Sequence, residues 1–401
     1  MPRYFLPLLI LSLIACCIEV DISVPSFPDM GRYFHVEDGI IQMTIAYNFL
    51  GFCLGAATYG PLSDAYGRRP VMIWGNAILA IGALACALAP SIPLLLWSRF
   101  IQGIGAAASA VVVFAMIADA YPVKERAASL IGAMNGIFTI IMAAAPLAGG
   151  FINEAVGWRG NYSIVAFICI LSWLFLAFFL PETKSAFEPF RLKKIQKDYR
   201  QLLISVPFIS ASVVPSLSYA GYLAFITQAS FLYTGTYELT LMSYVLHQCV
   251  IILVFSMTSL LSSSIIQKLG VRGCITYGAS LSGLSALGMV FVSLLAPKSS
   301  YLMTFFMSLV GLGGAISYPV IFAGSLEFFP AIKGTASTVI MSMRSFLCFA
   351  FVALTSYMYN GNPLRVALIV LSGNIICLTL IPKLLRSNQF SGSSPESSLR
   401  N

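Results

Sequence analysis

Ionisable residues inside apolar stretches are the side chains of this sequence most able to do chemistry. Asp21 and Glu19 lie near the end of an apolar run that begins near Tyr4. Arg99 and Arg344 lie within later apolar runs. A charge at the centre of a membrane helix costs about 2.5–3.5 kcal/mol even on a lenient scale. Each of these four residues therefore needs a partner or a function that compensates for its burial.

Asp21 is a candidate proton site. Pro25, four residues later, removes the amide that would bond the carbonyl of Asp21 and predicts a polar bend in the helix. A protonatable carboxyl at that place suits proton binding, and a structural, hydrogen-bonded acid is the alternative. Glu19 is two residues away and points to a different helix face. It is either a second proton site or the partner of a neighbouring helix.

Arg344 is a candidate for substrate binding. It lies about 15 Å into its predicted helix, near the middle of a bilayer. There it would attract an anionic group of a substrate or balance the charge of Asp21 across a cavity. A purely structural pairing is the alternative. Tyr47, Tyr222 and His247 are candidates to line the same cavity, although a hydrogen-bonded packing role suits an isolated histidine better.

Composition indicates the elements that position these residues. Of 401 residues 58% are hydrophobic and 9% charged, against roughly 25% charged in an ordinary soluble domain. The mean hydropathy is +0.88, and the apolar residues form twelve blocks of about 20 residues, each long enough to cross a bilayer as a helix. The sequence therefore predicts an all-α polytopic membrane protein with twelve transmembrane helices.

Several other functions are not indicated by the composition. The formal charge of +8 does not point to nucleic acid, because the basic residues occupy short loops and are not interleaved with base-stacking aromatics. The nine cysteines lie in apolar blocks without a CxxC pair, and there are two histidines. We therefore expect no metal site, no organic cofactor and no enzyme activity.

The loops between the predicted spans alternate in basic content. By the positive-inside rule, the more basic set and both termini are expected on the cytoplasmic side of a bacterial inner membrane. Glu19 and Asp21 occupy the place of a signal-peptide cleavage site, so the first run is interpreted as a membrane helix. The more basic set contains Arg68 and Arg69, Lys124 and Arg126, six residues of segment 184–200, Lys268 and Arg272, Lys333, Lys383 and Arg386.

A weak internal repeat divides the chain into two halves. Residues 64–75 align without gaps with 267–278, and residues 114–129 align with 322–337. The longest polar stretch lies between the halves. These features predict a six-helix bundle at 1–180, a cytoplasmic linker at 181–204, a second bundle at 205–386 and a disordered cytoplasmic tail at 387–401.

The loop after the second predicted span carries an extended motif. It contains Gly60, Asp64, Gly67, Arg68 and Arg69 in the order G-x-x-x-D-x-x-G-R-R. This pattern resembles the signature of the major facilitator superfamily and implies that fold, with two six-helix bundles. An acid at a helix end beside arginines forms contacts that can break in one conformation, which implies a role in gating. A plain positively charged loop is the alternative.

Two further motifs extend the resemblance. Arg99 opens a sequence similar to the family's R-x-x-Q-G motif, which implies a part in proton coupling; an interhelical clamp is the alternative. Gly136, Pro146, Gly149 and Gly150 resemble the antiporter motif of the fifth helix. Ala145 replaces the first glycine of its G-P-x-x-G-G core and is still small enough for close helix packing.

Two short segments resemble one subfamily. Asp21, Pro25 and Pro28 are similar to the first helix, and the segment 334–346 to the eleventh helix, of the bicyclomycin/chloramphenicol-resistance (Bcr/CflA) drug:proton antiporters. The resemblance implies a monomer in the lipid bilayer that exports a small amphipathic compound, a drug or a metabolite such as a siderophore, in exchange for protons by alternating access. A proton-coupled symporter that imports a nutrient is the alternative. A membrane-embedded enzyme or sensor would need a catalytic constellation or a signalling domain, and the sequence has neither.

Overall fold

The computed structural model describes residues 2–121, 123–184, 189–387 and 390, without the side chains of 124–129, 131–133, 135–139 and 331. Within these ranges the chain is helical and contains no strand. The helices are α1 Phe5–Asp21, α2 Phe27–Phe34, α3 Asp38–Tyr66, α4 Arg68–Leu88, α5 Ile92–Ala120, α6 Lys124–Val156, α7 Trp158–Phe179, α8 Leu192–Ile204, α9 Val206–Phe231, α10 Leu241–Leu260, α11 Ser262–Leu295, α12 Ser300–Leu326, α13 Lys333–Met358 and α14 Pro363–Leu385.

The described helices confirm the predicted fold class. Eleven of them are long and apolar enough to cross a membrane, with α1 and α2 counted as one span Phe5–Phe34. The twelfth span is α6, which contains the apolar segment Ile140–Val156. A 3-10 turn at Val24–Ser26, which includes Pro25, separates α1 from α2 and is the predicted bend. Six spans precede the amphipathic helix α8 and six follow it.

Two turns between spans support the internal repeat. Gly67 has φ 99° between α3 and α4, and Gly270 has φ 66° within α11, where it separates a short first segment from the rest of the helix. The ungapped repeat aligns these two positions. Both glycines are needed because residues with a Cβ rarely adopt positive φ. The same turn therefore occurs at corresponding places in the two halves.

Helix α8 connects the two bundles and packs on both. The Tyr199 hydroxyl donates to the carbonyl oxygen of Ala57 in α3 at 2.7 Å, and burial raises the pKa of Tyr199 to about 12. Leu202 is fully buried against α9 and α13. The predicted boundary at 180/181 falls in the loop before α8. Of the predicted tail, only Ser387 and Phe390 are among the described residues.

The halves contact each other along α3 and α13. A Cβ added at Gly39 would lie 2.3 Å from the carbonyl oxygen of Ser356, and one added at Gly60 would lie 2.8 Å from Oγ1 of Thr338. At the end of the bundle near α2, the rings of Phe27 and Phe231 lie 6.2 Å apart. These contacts enclose the middle of the molecule, where the ionisable residues lie.

Candidate functional site

Glu19 and Arg99 form a buried ion pair between α1 and α5. Nη1 of Arg99 lies 2.9 Å from Oε2 of Glu19. Arg99 is 0% exposed and Glu19 is 2% exposed. Asn48 of α3 donates from Nδ2 to both carboxylate oxygens of Glu19 at 3.0 Å. The pair therefore ties three helices of the first bundle together. This arrangement fits the alternative interpretations given above, an interhelical clamp for Arg99 and a partner on a neighbouring helix for Glu19.

The remaining donors of Arg99 are incompletely satisfied. Nη1 also donates to Oε1 of Gln102 at 2.7 Å, and the guanidinium lies 5.8 Å from the ring centre of Tyr162. Nε and Nη2 of Arg99 have no hydrogen-bond partner within the described part of the chain. Unpaired buried donors cost free energy. The arginine is thus held tightly on one side and left with unused donors on the other.

Asp21 lies beside this pair but does not join it. The residue is 3% exposed, and among the described residues its side chain makes no hydrogen bond and no ion pair. It interacts electrostatically with the phenol groups of Tyr219, Tyr222 and Tyr244 on α9 and α10. Asp21 therefore belongs to the first bundle and lies within electrostatic range of tyrosines of the second.

Arg344 of α13 contacts one of these tyrosines, Tyr219, and a further one, Tyr318. Its guanidinium carbon lies 5.1 Å from the ring centre of Tyr219, and Nη1 donates to the hydroxyl of Tyr318 at 3.3 Å. Nε has no partner among the described residues. The rings of Tyr219 and Tyr222 are 6.2 Å apart. We call Asp21, Tyr219, Tyr222, Tyr244 and Arg344 the central cluster.

The central cluster is partly accessible although it lies in the middle of the helices. Tyr219, Tyr222, Tyr318 and Arg344 each keep accessible surface, whereas most neighbouring residues on α9 are buried. Gln248, one turn after Tyr244, accepts a hydrogen bond from it, and Nε2 of Gln248 is buried without a partner within the described ranges. Polar atoms without a partner among the described residues therefore lie in and beside the cluster, on Arg344 and Gln248.

The structure does not bring Tyr47 or His247 to this cluster. Tyr47 packs edge-on against Trp97, whose side chain is 59% exposed on the outside of the bundle. Its neighbour Asn48 points inward, because consecutive helix residues are rotated by about 100°. Nδ1 of His247 bonds with Oγ1 of Thr304 at 2.8 Å on the α10–α12 contact.

Two glycines of α6 pack against the residues that follow Asp21 and Tyr244. A Cβ at Gly149 would come within 2.2 Å of the carbonyl oxygen of Ile22, the residue after Asp21. A Cβ at Gly150 would come within 2.9 Å of a methyl carbon of Val245, the residue after Tyr244. Pro146 lies inside the same helix. Gly136 falls in 135–139, outside the residues whose surroundings are described.

The predicted gating motif forms an ionic cluster at one end of the first bundle. The guanidinium of Arg68 lies 2.9 Å from a carboxylate oxygen of Asp64 and 2.9 Å from one of Asp119, and it donates to Ser63 at 2.6 Å. Nζ of Lys184 lies 2.6 Å from Asp64. The motif acid is therefore shared between its own arginine and a lysine that follows α7.

Glu182 completes this cluster at the start of α4. Its carboxylate accepts the backbone N–H groups of Arg68 and Arg69 at 3.1 and 3.0 Å. A carboxylate at a helix N-terminus satisfies unpaired amides and complements the helix dipole. The side chain of Arg69 donates to the carbonyl oxygen of Ala177 at 3.0 Å, and Gly60 faces Thr338 of the second bundle.

Sequence reasoning missed several residues of these groups. Asn48, Asp119, Glu182, Lys184 and Gln248 were not predicted as site residues. Asn48 and Gln248 are polar residues within apolar spans. The same feature identified Asp21 as a candidate, but only charged side chains were considered. Asp119 was visible as the counterpart of Glu327 in the internal repeat. Glu182 and Lys184 are more than a hundred residues from the motif and carry no comparable local signal.

Comparison with known proteins identifies the class to which this fold belongs. The family model of the Major Facilitator Superfamily matches residues 9–352. The chain therefore belongs to the Major Facilitator Superfamily, a family of membrane transporters. A solved D-xylose-proton symporter superposes with a TM-score of 0.75 at 15% identity over 96% of this chain and 99% of that one, a likeness that concerns the fold.

More specific relatives are resistance proteins. The chain is 26% identical over 334 residues to a bicyclomycin resistance protein homolog of Haemophilus influenzae, covering 81% of this chain and 82% of the relative. It is 24% identical over 332 residues to a chloramphenicol resistance protein of Pseudomonas aeruginosa, covering 80% and 76%. It is also 25% identical over 229 residues to the multidrug resistance protein MdtM of Escherichia coli, covering 55% and 56%. These relatives confirm the resemblance to the Bcr/CflA subfamily.

Proposed function

We propose that this transporter exports small amphipathic compounds across the bacterial inner membrane in exchange for protons, as a monomer with both termini in the cytoplasm. The observation that carries the proposal is the buried Asp21 carboxyl, which lacks a partner in the described structure and lies within electrostatic range of tyrosines of the other bundle. An isolated charge in such a place is unfavourable, so the group favours either a proton or a cationic or polar partner. The relatives named for drug resistance support export of this class of compound.

The buried pair beside Asp21 supports Asp21, rather than Glu19, as the proton site. Arg99 and Asn48 contact the Glu19 carboxyl at 2.9 and 3.0 Å and compensate its burial. Asp21 has no such compensation. Binding of a proton and binding of a substrate group then become alternatives at Asp21, and exchange follows from that competition. Arg99 acts as a positioning residue that holds Glu19 and the end of α1.

Alternating access requires contacts that form in one conformation and break in the other. The gating cluster fits this role because Asp64, 44% exposed, is held by two cations from different segments, Arg68 and Lys184. Partly exposed ion pairs are worth about 0–1 kcal/mol. Such pairs can be exchanged during a transport cycle without unfolding the protein.

The proposal is tested by proton release from the detergent-solubilised transporter. Addition of bicyclomycin or chloramphenicol to the unbuffered wild-type protein is expected to release protons, and Asp21→Asn is expected to abolish the release while the protein stays folded. Glu154→Gln, which removes an exposed acid of α6, is the matched control. Undiminished release from Asp21→Asn would move the proton site elsewhere. In proteoliposomes, accumulation of compound on the side of higher proton concentration indicates exchange, and accumulation on the opposite side indicates symport.

A further inference from the structure

Two side chains of opposite charge in the central cluster lack an ionic partner. Asp21 of α1 and Arg344 of α13 form no salt bridge among the described residues, with each other or with any other group. The buried charged residues beside Asp21, Glu19 and Arg99, are paired with each other. A buried charge without a partner is costly and is retained where a function uses it.

Tyr219 contacts Arg344 and lies within electrostatic range of Asp21. Its phenol interacts electrostatically with both Asp21 and Arg344, and the Arg344 guanidinium lies 5.1 Å from its ring centre. Tyr222 lies 6.2 Å from Tyr219 and interacts with Asp21. Two neighbouring aromatic rings therefore accompany the acidic and basic groups of the central cluster. A ligand with one charge would compensate one group and leave the other unpaired.

We propose that the exported compound is a zwitterion, with an ammonium group held by Asp21 and a carboxylate or similar planar anion held by Arg344, joined by a flat apolar body that packs on Tyr219 and Tyr222. A guanidinium favours planar anions because its donors form a fork that matches two oxygens. Tyr318, bonded to Arg344 at 3.3 Å, orients the fork. This inference rests on the proposed function, because it defines the substrate that binds at the same residues.

The charge balance of exchange follows from this substrate class. The ammonium group leaves Asp21 when a proton arrives there, whereas the anionic end is held by Arg344, which does not titrate in this range. Exchange of a neutral zwitterion for one proton moves one positive charge into the cell. Exchange of a simple monovalent cation for one proton moves no net charge. Export of the zwitterion should therefore respond to membrane potential.

Binding of three matched compounds tests the inference. The compounds are 4-(aminomethyl)phenylacetic acid, which is a zwitterion, its methyl ester, which is a cation, and its N-acetyl derivative, which is an anion. Titration calorimetry of the detergent-solubilised wild-type protein is expected to show the zwitterion binding at least about tenfold more tightly than either derivative. Tenfold corresponds to about 1.4 kcal/mol, less than one desolvated charge-assisted contact contributes.

Single variants assign each end of the ligand. Arg344→Gln is expected to weaken binding of the zwitterion and of the anion about tenfold and to leave binding of the cation unchanged. Asp21→Asn is expected to weaken binding of the zwitterion and of the cation and to leave binding of the anion unchanged. Arg365→Gln, which removes an exposed arginine at the start of α14, is the control for loss of a positive charge. Elution volume in size-exclusion chromatography checks that each variant is folded.

The outcomes separate this inference from the proposed function. Binding of the zwitterion no tighter than its derivatives, including no binding of any of the three, would overturn the inference. Proton release by bicyclomycin or chloramphenicol would in that case still support exchange at Asp21. Selective binding of the zwitterion without any proton release would instead support the inference and contradict proton exchange.

Discussion

Gly149 of α6 lies so close to Ile22 that a Cβ atom at this position would come within 2.2 Å of the Ile22 carbonyl oxygen. Backbone atoms of α1 cannot move away without displacing Asp21, the residue before Ile22. Asn161 also donates to the Gly149 carbonyl at 3.0 Å and to Ser26 at 2.6 Å. The antiporter-motif glycine thereby determines how closely α6 approaches the candidate proton site.

Substitution of the two adjacent glycines should therefore have unequal effects. In Gly149→Ala the new methyl group clashes with backbone atoms of Ile22. This variant is expected to destabilise the protein by about 1–3 kcal/mol, the usual cost of overpacking. Gly150→Ala meets a side-chain methyl of Val245, which can shift, so a smaller loss is expected. Thermal unfolding of the purified variants measures both. Gly314→Ala on α12, where a Cβ would meet nothing within 4 Å, is the control. Equal losses at 149 and 150 would contradict this account.

Neutralising Glu19 should unfold the protein rather than uncouple it. Glu19→Gln leaves Arg99 charged and unpaired in a fully buried site, and breaking a buried pair from one side costs about 3–5 kcal/mol. We expect a strongly reduced folded yield. The double variant Glu19→Gln/Arg99→Gln removes both charges and should recover part of that yield. A single variant that folds normally but releases no protons would make Glu19 the proton site.

Asp64→Asn should reduce transport far more than folding. The side chain is 44% exposed, and its pairs with Arg68 and Lys184 contribute little to stability at that exposure. Initial transport rates per folded molecule are the measurement. Glu327→Gln, which loses an exposed ion pair with Lys333, is the matched control. If rate and yield fall together, the acid is structural and the switching role is excluded.

Reporter fusions should establish the orientation predicted from the loops. Fusions after Arg69, Lys194 and Arg386 are expected to report the cytoplasm, and fusions after Glu37 and Lys298 the periplasm, because basic residues concentrate in the first set of loops. Phosphatase and fluorescent-protein reporters give opposite signals on the two sides and check each other. A periplasmic signal after Lys194 would contradict the two-half arrangement.

The sequence by itself determined the spans, their number, the repeat and the family. These features are local: a run of about 20 apolar residues specifies a membrane helix wherever it packs, and a motif is read from consecutive positions. The glycine turn at Gly67 and its counterpart Gly270 were visible in the alignment of the halves before either φ angle was known.

Only the tertiary structure decided which residues meet. It paired Glu19 with Arg99, eighty positions away, left Asp21 within electrostatic range of tyrosines of the other bundle, and turned Tyr47 outward. In a soluble helix the apolar face identifies the side that packs inward. In a membrane helix the lipid-facing and protein-facing sides are both apolar, so hydrophobicity does not indicate how the helix is rotated about its axis. That rotation decides which carboxyl finds a partner and which does not. The rotation itself is set by packing between segments that are distant in the sequence.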